Sequence, residues 1–148
     1  MERWDSHTSV EEVMRGLHSL VMAGKVLYLG VSDHPAWVVV KANDYARQHG
    51  LTPFSLYQGK WSAAFRDMEA EVIPMCRDQG MAIVPWEPLG GGKLLSAEQR
   101  EKKKGGRQGD PTEEQLKVSQ KLEEIAIQKK TTVQAVVSLS CSPSIYTN

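Results

Sequence analysis

Long apolar runs, an excess of either charge and a set of spaced cysteines are all missing from this chain of 148 residues. No stretch approaches the ~20 consecutive apolar residues that a membrane-spanning helix needs. The start, Met1-Glu2-Arg3-Trp4-Asp5, lacks the pattern of a secretory signal. No membrane partner and a cytoplasmic location are therefore expected. Eighteen Lys and Arg balance eighteen Asp and Glu, which leaves no long-range field to gather nucleic acid or an anionic lipid surface. The two cysteines, Cys76 and Cys141, lie far apart and without metal-ligand spacing, as expected of thiols in a reducing compartment. His7, His18, His34 and His49 show no ligand spacing either; each is read as a surface residue, and no metal is expected.

What is present is a repeated plan. At 41% hydrophobic and 24% charged residues the chain is of the globular class, and its length suits one domain. Ser9 with Glu12 forms a capping box that opens a helix, and Val10, Val13, Met14, Leu17, Leu20 and Val21 follow at helical spacing. Gly24 stops it. Val26 to Val31 is an apolar run predicted to be a strand buried on both faces, ending in the polar pair Ser32-Asp33. Pro35 then suits the first turn of a helix that carries Trp37, Val38, Val40, Lys41, Tyr45 and Ala46 to Gly50. The second unit is a strand over Phe54 to Gln58 and a helical region from about Arg66, which Pro74 must kink or divide, ending at Gly80. The third strand is Met81 to Pro85, followed by Trp86-Glu87-Pro88-Leu89-Gly90-Gly91-Gly92. Helix, glycine, strand and polar strand end, three times over, predict an α/β fold with parallel strands.

Beyond Leu95 the character changes. Residues 99–112 hold a basic, glycine-rich run with nothing apolar, read as a mobile, solvated loop and not as a binding patch. Thr112 then caps a helix with Leu116, Val118, Leu122, Ile125 and Ala126. Thr131-Thr132 cap a last one through Val133, Val136, Val137 and Leu139, and residues 140–148 form an irregular tail. Three parallel strands are too few to cover one another, so their outer edges are expected to meet something further.

The polar strand ends Ser32-Asp33, Gln58 and the Trp86–Gly92 turn would share the carboxyl rim, where α/β proteins bind ligands. Glycines let backbone N–H groups approach a phosphate, and Trp86 offers a flat aromatic face; together they favour a nucleotide. The triplet alone is more often a mobile turn, and it matches neither of the common glycine-rich phosphate motifs. Asp33 is the carboxylate best placed for a role, with Glu87 second. The pairs Glu11-Glu12 and Glu113-Glu114 suit helix N-termini instead. No Ser/His/Asp or Cys/His set can be assembled.

Several motifs together resemble one family. Trp4-Asp5, Thr8 to Met14, Ala23 to Ser32, Tyr57-Gln58, Ile73-Pro74-Met75-Cys76, Gly80-Met81-Ala82 and Pro88 to Gly91 are similar to the aldo-keto reductases. Ser32-Asp33-His34-Pro35-Ala36-Trp37 and Tyr57-Gln58-Gly59-Lys60-Trp61 most resemble the fungal aryl-alcohol dehydrogenase and norsolorinic acid reductase branch. The resemblance implies a (β/α)8 TIM barrel, of which this chain would hold about strands five to seven as a single partial domain over residues 1–148, with NADP as cofactor. It implies that Ser32, Asp33 and Gln58 hold the nicotinamide carboxamide. Trp86 would stack under the ring, while Leu89, Gly90 and Gly91 pass close to the pyrophosphate. Asp33 stands where the family usually has Asn, and Glu87 where it often has a small residue. The family's Asp, Tyr and Lys come from the other half of the barrel, so no catalytic residue is expected here, and Glu2 stands at the place of the family histidine. The expected function is reduction of a ketone or aryl aldehyde, as in fungal mycotoxin biosynthesis, with an aromatic carbonyl or alcohol as substrate. This chain alone is expected to be inactive. The alternative is a catalytically inactive half-barrel fragment that needs a partner chain or self-associates through open barrel edges.

Overall fold

The computed structural model describes residues 7–102 and 110–141. Trp4-Asp5, the middle of the basic run and the tail beyond Cys141 lie outside the described residues. The elements run α1 (Val10–Met22), β1 (Leu29–Ser32), α2 (Ala36–Gln48), β2 (Phe54–Lys60), α3 (Val72–Asp78), β3 (Ala82–Trp86), α4 (Ala97–Lys102), α5 (Glu113–Gln128) and α6 (Val133–Ser140), with short 3₁₀ turns at Asp67–Glu69 and Gly90–Gly92. The strands form one parallel sheet in the order β1-β2-β3, the α/β arrangement expected from the repeats. The described residues divide into two compact units, the first within 1–59 and 67–84 and the second within 60–66 and 85–148.

One local device closes most of the longer helices. After α1 the N–H of Lys25 donates to the Leu20 carbonyl at 3.0 Å and that of Gly24 to Val21 at 2.9 Å, with Gly24 at φ 68°. The same pair of bonds recurs at Leu51 and Gly50 after α2, at Met81 and Gly80 after α3, and at Thr131 and Lys130 after α5. Each satisfies carbonyls that the last helical turn would leave unpaired, and each needs a left-handed residue at the turn. Glycine fills it three times; Lys130, at φ 51°, does so against its Cβ.

The N-terminal ends of α1, α5 and α6 are closed by hydroxyls. Ser9 Oγ accepts the Glu12 N–H at 3.1 Å, although the answering carboxylate is that of Glu11, held below the usual range by its own backbone N–H and by Ser9. Thr112 and Gln115 form a full reciprocal box at α5, and Thr132 Oγ1 accepts the Ala135 N–H at α6.

Several expected boundaries and faces move. The first strand starts at Leu29, not Val26, because pairing begins at Leu29 with Phe54, and Leu27 and Tyr28 before it are 80% and 76% exposed. Pro35 caps α2 and does not enter it. The buried face of α2 is Ala36, Val39, Ala42, Asn43 and Ala46, while Trp37 is 66% exposed. Asn43 is fully buried because it clamps β2: its Oδ1 accepts the Phe54 N–H at 2.8 Å, and its Nδ2 donates to the Phe54 carbonyl at 3.4 Å. Pro74 does divide its region, standing in the first turn of α3 where its missing N–H has no helical acceptor to lose. In the second unit Leu94, Leu122, Ala126, Val133 and Val137 form the core. Leu139 and Ile125, expected on that face, are exposed; Ser119 takes a buried place by donating to the Leu95 carbonyl at 2.6 Å. Helix α4 takes in residues 99–102 of the stretch expected as a loop, where Lys102 pairs with Glu98 one turn back.

Lys130→Gly is expected to raise stability by about 1 kcal/mol and Gly24→Ala to lower it by about as much, since no atom crowds the Gly24 Cβ position and only the left-handed backbone is at stake. Urea midpoints at constant slope would check both. Asn43→Ala should cost more, about 2–3 kcal/mol, because it leaves a buried strand N–H without its acceptor.

Candidate functional site

At the carboxyl ends of β1 and β2 the register sets Ser32 opposite Gln58 and Val31 opposite Tyr57. The ladder runs one residue further, with the Asp33 N–H donating to the Gln58 carbonyl at 3.0 Å. Asp33 then turns left-handed, at φ 53°, a conformation that Asp and Asn tolerate better than other side chains. Ser32 Oγ donates to Asp33 Oδ2 at 3.3 Å, and Asp33 and Gln58 are exposed. Three of the expected site residues are thus brought together, with hydroxyl, carboxylate and carboxamide side by side.

Two residues behind them were missed as part of this group. His34, expected on the surface, is buried, and its Nδ1–H donates to the Ser32 carbonyl. The Tyr57 hydroxyl donates to the His34 carbonyl at 2.7 Å. Together they pin the chain on either side of Asp33. Burial, and then the nearby Asp33 charge, pushes the Tyr57 phenol up to about 12. Its hydroxyl is spent on a backbone carbonyl and not turned toward the exposed side chains of Ser32, Asp33 and Gln58. A hint existed in the sequence, since a tyrosine directly before Gln58 must point to the opposite face of the strand.

His18 is half-buried, and His49 is exposed as expected. His18 Nδ1 accepts from the Thr52 N–H at 3.2 Å and meets its hydroxyl at 3.0 Å. The His49 ring stacks on Tyr45 at 4.0 Å between centroids. Among the described residues no group of three or more His, Cys, Asp or Glu could hold a metal ion, and no helix is long and apolar enough to cross a membrane. Cys76 and Cys141 are both buried and outside any disulfide; burial pushes the Cys76 thiol up to about 11.

The second group follows β3. Trp86 is half-buried, and Glu87 after it is left-handed at φ 52°. Its carbonyl accepts the Gly90 N–H at 2.8 Å, and the Leu89 carbonyl accepts those of Gly92 and Leu94 at 3.0 and 3.1 Å. Gly90, Gly91 and Gly92 all have positive φ, at 60°, 67° and 87°, which only glycine adopts in succession without strain. Two of the three glycine N–H groups therefore point into the turn, so it offers an anion less than the triplet suggests; Gly91 is the exposed one. Lys60, at the end of β2, was not expected in this group. Its Nζ lies 3.4 Å from Glu87 Oε2, 5.4 Å from the Trp86 ring centroid and 5.1 Å from that of Phe65.

The profile of the aldo/keto reductase family matches residues 1–139. The chain belongs to this family. It is 55% identical over 128 residues to norsolorinic acid reductase A of Aspergillus parasiticus, covering 86% of this chain and 33% of that protein. With a norsolorinic acid reductase of Emericella nidulans it shares 48% identity over 133 residues, covering 90% and 34%. With the aryl-alcohol dehydrogenase [NADP(+)] of Phanerodontia chrysosporium it shares 50% over 133 residues, covering 83% and 34%. The chain spans about one third of the length of the curated relatives it matches. Its parallel βα units are part of an aldo/keto reductase barrel.

The raised Tyr57 and Cys76 pKa values fix a pH dependence. Both groups bind their protons more tightly when folded, so the stability they confer is complete below pH 9. It is lost as pH rises through about 11 for Cys76 and about 12 for Tyr57. Thermal unfolding midpoints should fall steadily from pH 9 upward, and Cys76→Ala should flatten the first part of that fall. Tyr57→Phe should cost about 1 kcal/mol at neutral pH through the lost bond to the His34 carbonyl, while flattening the upper part.

Proposed function

We propose that this chain forms part of the cofactor rim of an NADP-dependent oxidoreductase that reduces a ketone or an aryl aldehyde. The observation that carries the reading is the meeting of Ser32, Asp33 and Gln58 at the ends of paired strands. A primary carboxamide needs a donor for its oxygen and acceptors for its NH2. Gln58 supplies both, Asp33 accepts, and Ser32 can turn its hydroxyl either way. The residues therefore fit a nicotinamide. Asp33 does what an Asn oxygen would do and lacks the amide donor, so the grip is carried mainly by Gln58. In the second unit Trp86 presents a ring face for stacking, and the exposed Gly91 leaves room for a phosphate. When bound, the cofactor supplies the hydride.

Proton transfer needs another residue. Tyr57 is committed to the His34 carbonyl and holds its proton to about pH 12, so in this reading the described residues orient a cofactor and the proton comes from elsewhere. The substrate class that suits this family branch is an aromatic carbonyl or alcohol, including aromatic polyketides of fungal mycotoxin biosynthesis.

Adding NADPH should quench tryptophan fluorescence in the 148-residue chain, and Trp86→Phe should remove most of that change. Gln58→Ala should weaken the titration about tenfold, and Asp33→Asn should tighten it a few-fold. No NADPH oxidation above the no-enzyme rate is expected with an aryl aldehyde. A flat titration with folded protein, or measurable turnover, would overturn the respective half of the proposal.

A second reading is favoured by the exposure of Leu27 and Tyr28 just before β1 and of Val84 on β3. It is a non-catalytic half-barrel that pairs with a partner chain or a second copy through its outer strands. Sedimentation decides it, because a monodisperse monomer at high concentration would leave those strands with no need of a partner.

A further inference from the structure

The carboxylate of Glu87 stands at the head of the glycine turn, only three residues before Gly90, in a left-handed conformation that few non-glycine residues take. A negative charge there would repel a phosphate brought to Gly91. Lys60 answers it. Its Nζ is 3.4 Å from Glu87 Oε2, and the Trp86 and Phe65 rings lie at 5.4 and 5.1 Å. Aromatic faces attract a cation, so the ammonium is held by three neighbours at once. An exposed ion pair of two long side chains would have little to fix it. Here the rings restrict where Lys60 can go.

We infer that Lys60 is a positioning residue: by pairing with Glu87 and resting on Trp86, it cancels the charge at the head of the glycine turn and fixes the Trp86 ring. The effect on phosphate rests on the proposed cofactor reading; the effect on the ring does not. Lys60 acts through Glu87, and this separates it from a lysine that binds phosphate directly. If Lys60 only neutralises Glu87, removing both charges together must restore what removing Lys60 alone destroys.

Two measurements on the 148-residue chain test this. The first is fluorine NMR of protein carrying fluorotryptophan, with the Trp86 resonance assigned by its loss in Trp86→Phe. Lys60→Met and Glu87→Gln should each shift that resonance and leave that of Trp37 in place, and Lys60→Arg should shift it least. Matching circular dichroism melts establish that each variant folds. The second is NADPH titration. Lys60→Met should weaken binding about tenfold, and Lys60→Met combined with Glu87→Gln should return to within about threefold of the unsubstituted chain. A Trp86 resonance that Lys60→Met leaves unmoved would overturn the clamp. A double variant as weak as Lys60→Met would make Lys60 a direct phosphate ligand and overturn the neutralising role. If the unsubstituted chain takes up no NADPH, the cofactor reading and the neutralising role fall together, and the fluorine shifts still decide the clamp.

Discussion

Everything in the first unit depends on the way its helices are closed. A helix that ends with a left-handed residue and a long bond back to its last turn does two things at once. It satisfies carbonyls that would otherwise be stranded, and it reverses the chain at a defined angle. Gly50 and Gly80 do this after α2 and α3, and β2 begins only three residues beyond Leu51 and β3 one beyond Met81. Parallel strands cannot be joined by a tight turn, so each must be reached by a helix that crosses back. The closure is what makes that return short. Gly24 does the same after α1, with a longer exposed approach through Leu27 and Tyr28 before pairing starts.

The polar ends of the strands follow from this geometry. Once β1 and β2 are locked in register, Ser32 must face Gln58, and Asp33 must either continue the ladder or leave it. It does both: its N–H makes one more bond, and its left-handed φ turns the chain away. Such a residue costs about 1 kcal/mol or more in backbone strain, and the bonds from His34 to Ser32 and from Tyr57 to His34 hold it there. The exposed side chains could be exchanged with little effect on folding; the buried pair behind them could not.

The order of the elements, the parallel sheet and the grouping of Ser32, Asp33 and Gln58 were legible because they depend on patterns of two kinds only. Glycine after a helical period and a polar pair after an apolar run are both local. What was not legible depends on partners distant in sequence. Nothing local tells Val26–Tyr28 from Leu29–Val31; only pairing with Phe54 does. The apolar residues of α2 do not tell its inner face: α2 buries its small residues, and Asn43 among them, because Asn43 serves the backbone of β2. His34 looked like a surface histidine because the acceptor of its ring N–H is a backbone carbonyl two residues back, a bond that leaves no mark in composition. The departure at Glu87, by contrast, was visible as a charge in an awkward place, and the residue that answers it, Lys60, lay in a motif already notable for Gln58.

Two acidic residues, one in each unit, stand directly after strands. Asp33 and Glu87 are both left-handed and both follow a strand, but their surroundings differ. Asp33 lies beside a hydroxyl and a backbone N–H bond, and its charge is exposed to water, which screens it. Under the proposed cofactor reading it would meet an amide, where an acceptor is useful. Glu87 is less exposed and heads a turn suited to phosphate, where a bare carboxylate would be a liability. Glu87 is paired with Lys60. The placement of Lys60 at the end of β2, within reach of Trp86 and Glu87, supplies a positive charge where the carboxylate heads the glycine turn.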